Sequence, residues 1–237
     1  ERWAFCGASA AVMHGLDCSY RQLHPIHVAV GRNSRPRNQR YVRFHVLDDA
    51  ETVAVDGARV TSILRTLVDC AAMMPRRYAM APIDSALRQG KTTVEQMLEY
   101  VDAIPMLRDR ERIRAVLAQG DGRVENGGES ECRAVLDELG FPVHRVQVEF
   151  PCLSHPGRVH RVDFLWERDD GTLIAGELDG VQKYVDPLMT AGWTIRQVVD
   201  DERDRQQCLS RRGVDMVRMF YRDLDNAQVL AYRLEQA

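Results

Sequence analysis

The stretch from Val159 to Asp179 constrains this chain more than any other part of it. Two runs of alternating apolar residues flank Asp169-Asp170-Gly171. A three-residue hairpin loop built on a type I turn needs a left-handed residue at its third position, and glycine adopts that conformation without penalty. Such a loop pairs Arg168 with Thr172 and, counting back along both strands, sets Asp163 opposite Glu177, with Cβ atoms roughly 5 Å apart. Asp179 falls on the same face, because strand side chains alternate with a period of two. A two- or four-residue loop would put Asp163 and Glu177 on opposite faces.

Three carboxylates crowded on one sheet face repel, and a fold tolerates them chiefly when a cation neutralises them or they take up protons. Mg2+ (or Mn2+) is the natural candidate, since magnesium prefers oxygen ligands and is often held by one or two protein carboxylates plus substrate phosphate oxygens. The competing reading is an edge strand whose outward acids discourage edge pairing, although Leu173 shares that face. Around the hairpin, Val146, Val148 and Phe150 alternate as a first strand, and the spacing of Cys132, Val135, Leu136 and Leu139 predicts a helix over 129–139 closed by Gly140. Glu129 sits in its first turn, where the helix dipole favours a carboxylate. A charged helix over 202–212 stopped by Gly213, a strand over 214–220 and a helix over 224–235 complete this half.

The first half predicts a short helix over 8–16 closed by Gly15 and a strand over 27–30. Next, Gly31 to Arg43 carries Arg32, Arg35, Arg37, Arg40 and Arg43 without one acid, so it is a solvated loop or hairpin arm, either bland or phosphate-contacting. After the Asp56-Gly57 turn, Thr61 or Ser62 caps a helix through Ile63, Leu64, Leu67 and Val68, on which Arg65 and Asp69 form a structural ion pair one turn apart. Further helices follow over 78–88 with Pro82 in its first turns, over 94–103 opened by a Thr92/Glu95 capping box, and over 108–119. The segment from Gln119 to Gly128 holds four glycines and almost nothing apolar, and it is the expected boundary between domains 1–120 and 121–237.

Six cysteines lie far apart with no C-x-x-C pair, which points to reduced thiols and a cytoplasmic setting. His24 and His27 bracket a proline and lack partner cysteines, so zinc is not expected there. A net charge of −3 excludes a globally basic nucleic-acid coat but not a clustered one. No run of about 18 apolar residues spans a membrane. No secretory signal opens the chain at Glu1, and native residues are expected ahead of it. P-loop, dinucleotide-binding and serine-hydrolase glycine signatures are all missing.

In the first half, "SAAVMHGL" from Ser9, "HVAV" from His27 and "DGARVTSILRTLVDCA" from Asp56 resemble the AbiE-type antitoxin proteins of actinobacterial abortive-infection systems. That resemblance implies a DNA-binding regulator, with a winged helix ahead of this region and a cognate toxin as partner. In the second half, "GGESECRAVLDELG", "RVDFLW", "GELDGVQKY" and "ERDRQQCLSRRGVDMVRMFYRDL" together resemble the PD-(D/E)XK nuclease superfamily, nearest its very-short-patch-repair-like branch. The resemblance implies Glu129 as the helical acid, Asp163 as the central metal ligand and Glu177 as the second strand acid. Asp179 stands where that superfamily usually has lysine, leaving Lys183 to swing back from the strand end, and Arg203 as a basic residue brought toward the site. The expected whole is an α/β chain: a mixed α/β first domain, then a restriction-endonuclease-like domain with a mixed central sheet flanked by helices. Its expected function is metal-dependent cleavage of DNA, or, as the alternative, DNA binding by an antitoxin whose nuclease fold no longer cleaves.

Overall fold

Backbone pairing gathers the strands into two mixed sheets, each with both parallel and antiparallel neighbours, and the fold is α/β. The computed structural model describes residues 3–34, 36–47, 50–153, 155–179 and 195–236, with the side chains of 195–200 left aside. Two units emerge, Glu1–Glu131 and Cys132–Ala237.

In the first unit the sheet order is β3-β2-β1-β5-β4, from β1 (Trp3–Phe5), β2 (Ile26–Val30), β3 (Val42–Val46), β4 (Thr52–Val55) and β5 (Ala58–Thr61). β2 and β3 run parallel, Ile26 beside Val42 through Val30 beside Val46. The arginine-rich segment is therefore an arch returning the chain to the start of a parallel neighbour, and not a hairpin arm. Helices α1 (Gly7–Met13), α2 (Ile63–Met73), α3 (Arg76–Arg88), α4 (Val94–Ala103) and α5 (Arg110–Leu117) supply the remaining regular structure.

Local chemistry explains most of their limits. Gly15, at φ 69°, lets Leu16 N–H reach back to Ala11 and close α1. The Ser62 hydroxyl accepts the Arg65 N–H at the start of α2, and the Arg65 guanidinium lies 2.9 Å from Asp69, both nearly buried. Burial raises the Asp69 carboxyl to about 6 despite Arg65. The capping box of α4 is Thr93 with Gln96, one residue beyond the expected Thr92 and Glu95, because Thr93 is the residue with extended backbone while Thr92 is buried. Pro82 sits in the middle of α3, not in its first turns, since that helix begins at Arg76.

The glycine-rich stretch differs from expectation. It is docked on α3: Asp121 N–H donates to Asp84 Oδ1 at 2.8 Å and Arg88 donates to the Val124 carbonyl at 2.9 Å. A Cβ at Gly120 would lie 2.6 Å from Leu87 and 2.8 Å from Ile83, and one at Gly122 would lie 3.0 Å from the backbone of Leu87 and Arg88. Here glycine marks close approach of two backbones rather than a loose linker. The division between the units falls instead within α6 (Gly127–Glu138).

The second unit has sheet order β6-β7-β8-β9, from β6 (Arg145–Pro151), β7 (Val159–Glu167), β8 (Leu173–Asp179) and β9 (Val214–Phe220). α7 (Ile195–Ser210) precedes β9, which lies parallel to β8, and α8 (Ala227–Glu235) closes the chain after a 3-10 turn over Tyr221–Asp225. Leu209 of α7 packs with Val162, Leu165, Ala175 and Val214 of the sheet. Full burial of a Leu or Val contributes about 1.5–3 kcal/mol, enough to fix where α7 lies on the strands. Gly176 has no Cβ because the Trp166 ring fills that space at 2.7 Å, and the Trp166 indole N–H donates to the Phe141 carbonyl.

Candidate functional site

The loop at 169–171 has Gly171 at φ 84°, Gly171 N–H bonded to the Arg168 carbonyl and Arg168 N–H to the Thr172 carbonyl. From there the pairing runs Glu167 with Leu173 to Phe164 with Gly176. One residue further stand Asp163 and Glu177, where the two strands separate. β8 continues along β9, with Glu177 beside Arg218 and Asp179 beside Phe220. The Asp163 carboxylate accepts the Leu178 N–H at 3.0 Å, across the gap the ladder leaves open.

On its other side Asp163 faces Gln147, since Val146 pairs with Phe164 and Val148 with Val162. Gln147 holds φ 52°, a left-handed conformation costing about 1–2 kcal/mol for a residue with a Cβ. Backbone distortion of this kind concentrates at functional sites.

Glu177 and Asp179, both buried, meet arginines. Arg205, on α7, forks onto Glu177: Nη1 donates to Oε2 at 2.7 Å and Nη2 to Oε1, while Nη2 also reaches the Arg161 carbonyl at 2.5 Å. Arg218 Nη1 lies 3.4 Å from Asp179 Oδ2, and its Nη2 donates to Glu202. Glu202 also lies 3.7 Å from Arg205, so Asp179, Arg218, Glu202, Arg205 and Glu177 form one chain of alternating charge. Bidentate guanidinium–carboxylate pairs are among the stronger polar contacts a protein makes.

This arrangement bears on the expected metal. The acids do not make a three-carboxylate cradle: among the described residues, no three of them offer oxygens within 4.8 Å of one another. Both oxygens of Glu177 are held by Arg205, and a divalent ion there would have to displace a guanidinium. As arranged, with Arg205 on both oxygens of Glu177, the expected ligand pair Asp163 and Glu177 does not fit Mg2+ or Mn2+.

The other expected residues fall elsewhere. Glu129 lies in the first turn of α6 but belongs to the first unit, where its carboxylate accepts Glu125 N–H at 2.9 Å and Asn126 Nδ2 at 2.6 Å. Asn126 in return accepts the Glu129 N–H, a reciprocal cap. Arg203 is exposed on α7, and Lys183 lies outside the described residues. Arg32, Arg37, Arg40 and Arg43 are exposed on the first unit's arch and the start of β3, with Arg40 stacked 5.1 Å over Tyr41, while Arg35 lies outside the described residues. Beside them His27 Nδ1 and His45 Nε2 lie 2.9 Å apart. Burial, then His27 and Arg43, push the His45 imidazole down to about 4, and burial and Arg43 lower His27 as well.

Sequence reasoning missed Arg205 and Arg218. The signal was the i, i+3 spacing of Glu202, Arg205 and Cys208 next to Leu209, which puts charged and apolar groups on one helix face.

Residues 3–119 match the AbiEi antitoxin C-terminal domain. The AbiEi-like stretch covers the whole first sheet with α1 to α5 and ends ahead of the acids. Two uncharacterized proteins of Mycobacterium tuberculosis, from strains CDC 1551 / Oshkosh and ATCC 25618 / H37Rv, are each 29% identical over 217 residues, spanning 85% of this chain and 76% of theirs. No solved structure matches. No helix among the described residues is long and apolar enough to cross a membrane.

Proposed function

We propose that this chain acts as an AbiEi-type antitoxin that binds DNA and a cognate toxin, its second unit serving as a scaffold of nuclease-like topology rather than as a catalyst. The observation that carries this reading is the match of residues 3–119 to an antitoxin domain. The alternating charge chain supports it, because Arg205 already neutralises Glu177, one of the two acids that cleavage would assign to a metal. The exposed arginines Arg32, Arg37, Arg40 and Arg43 supply positive charge for a phosphate backbone, a contact that orients a duplex without reading its sequence. Mixed-sequence duplex DNA tests this directly. Binding should weaken linearly in log salt, with Arg37→Glu and Arg40→Glu each lowering affinity and reducing the slope by about 1. Binding indifferent to salt and to both substitutions would sink the DNA arm. Neutralisation of toxicity on co-expression with the toxin of its own operon tests the other arm.

A second reading, a metal-dependent DNA endonuclease, is favoured by one feature: the hairpin register, which ends at Phe164 beside Gly176 and leaves Asp163 and Glu177 as the next residue on each strand. It requires cleavage of supercoiled plasmid in Mg2+ or Mn2+ that disappears in both Asp163→Ala and Glu177→Ala. Absence of cleavage with either ion ends it.

A further inference from the structure

A second cluster in the same unit has different chemistry. Cys152 follows β6, His160 lies on β7 and Cys208 lies on α7, yet one ligand atom from each falls within 4.8 Å of the others. The Cys208 and Cys152 sulfurs are 3.5 Å apart. His155, in the loop joining β6 to β7, brings Nδ1 to 3.9 Å from the Cys152 sulfur. Cys152, His155 and His160 line one small, largely enclosed cavity, with Arg158, Asp204 and Arg211 beside them.

His160 supplies the deciding observation. Its residue is 3% exposed, and Nε2 is buried with no hydrogen-bond partner among the described residues. A buried imidazole nitrogen without a partner forfeits on the order of 1–3 kcal/mol. That loss is recovered if the nitrogen donates its lone pair to a cation.

We propose that Cys152, His160 and Cys208, with His155 as the fourth ligand, bind one zinc ion that staples the β6–β7 loop to α7. The spacing agrees with tetrahedral coordination. Zinc–sulfur bonds of about 2.3 Å at the tetrahedral angle set two sulfurs about 3.8 Å apart, and zinc–nitrogen bonds of about 2.0–2.1 Å set sulfur and nitrogen about 3.5 Å apart. The sulfurs at 3.5 Å need only a small shift, whereas a disulfide needs them at about 2 Å; His155, 3.9 Å from the Cys152 sulfur but outside the three-residue cluster, swings in to complete the set. Two thiolates balance the charge of the ion, and each thiol loses its proton on binding. Four protein ligands leave no open position, so the site is structural rather than catalytic. Cys208 lies one helical turn from Arg205, and the ion therefore fixes the turn of α7 that carries the guanidinium onto Glu177.

Four residues spaced C-x2-H-x4-H, with the last cysteine 48 residues on from His160, lack the C-x-x-C pair that a search of the sequence looks for. Metal analysis of the full chain, purified without chelator and then loaded with zinc and dialysed, is expected to give about one zinc per chain. Cobalt in place of zinc should give the thiolate charge-transfer absorption and the intense visible bands of a tetrahedral site. Cys208→Ser and His160→Gln should each lower bound metal at least tenfold, while Cys18→Ser retains it. If those variants fail to fold, the cobalt spectrum of the unaltered chain still decides. A chain that gives no tetrahedral cobalt spectrum, undiminished metal in Cys208→Ser, or a Cys152–Cys208 disulfide in the purified protein overturns the proposal.

Discussion

Arg205 holds both carboxylate oxygens of Glu177, with Nη1 2.7 Å from Oε2, and the two residues lie 28 positions apart in the chain. The pair is largely removed from water, the side chains retaining 18% and 8% of their exposure. Each charge is therefore compensated mainly by the other. Truncation of one partner leaves the other buried and uncompensated, which costs roughly 3–5 kcal/mol. Arg205→Ala should lower the stability of the second unit by about that amount in urea unfolding. Arg205→Met combined with Glu177→Leu should recover much of the loss. A single variant as stable as the parent would show that solvent or another cation replaces the guanidinium.

Acid should loosen the first unit through the facing imidazoles. His45 titrates at about 4 in the folded chain, against an ordinary value of 6.5. Between those values the unfolded chain binds more protons, so the contribution of His45 is present above pH 6.5 and is lost as pH falls toward 4. Asp69, raised to about 6, acts in the opposite sense. The difference between the parent and His45→Gln isolates the imidazole. Urea midpoints at pH 7 and pH 5 should fall less in His45→Gln than in the parent, and an equal fall in both would contradict this.

Gly122 is pressed against backbone, not against a side chain that can rotate away. Gly122→Ala should cost about 1–3 kcal/mol, the range for overpacking a close contact. Circular dichroism during urea unfolding measures it. Stability unchanged or increased would mean that the segment behaves as the open linker its composition suggests.

At α4, Thr93→Ala removes the hydroxyl that accepts the Gln96 N–H and should cost about 0.5–2 kcal/mol. Glu95→Ala should cost much less, because the capping box returns through Gln96. Thermal unfolding of the two variants distinguishes the registers, and a larger loss in Glu95→Ala would restore the Thr92/Glu95 box.

The candidate site was partly legible. Gly171, the alternation of Val162, Phe164 and Trp166 and the spacing of Glu177 and Asp179 specify where the hairpin turns and which residues stand opposite each other. Each is a relation among neighbours in the chain, set by which backbone angles a residue tolerates and by the period of a strand. Limits of helices were legible for the same reason, and the one-residue error at Thr92 arose because two adjacent threonines offer the same hydroxyl and only burial separates them.

What the sequence determined by itself was therefore the local geometry: strands, turns, and a hairpin register that pairs Phe164 with Gly176, one residue short of the two acids. Tertiary structure decided what those acids and thiols meet. Burial of Leu209 against the sheet seats α7, and only then does Arg205 reach Glu177 and Cys208 come within 3.5 Å of Cys152, 56 positions away. The same holds for the glycines at 120 and 122, whose use depends on the surface of α3. Contacts of this kind are set by the shape left between packed elements, and no window of the chain encodes a distance to a residue outside it.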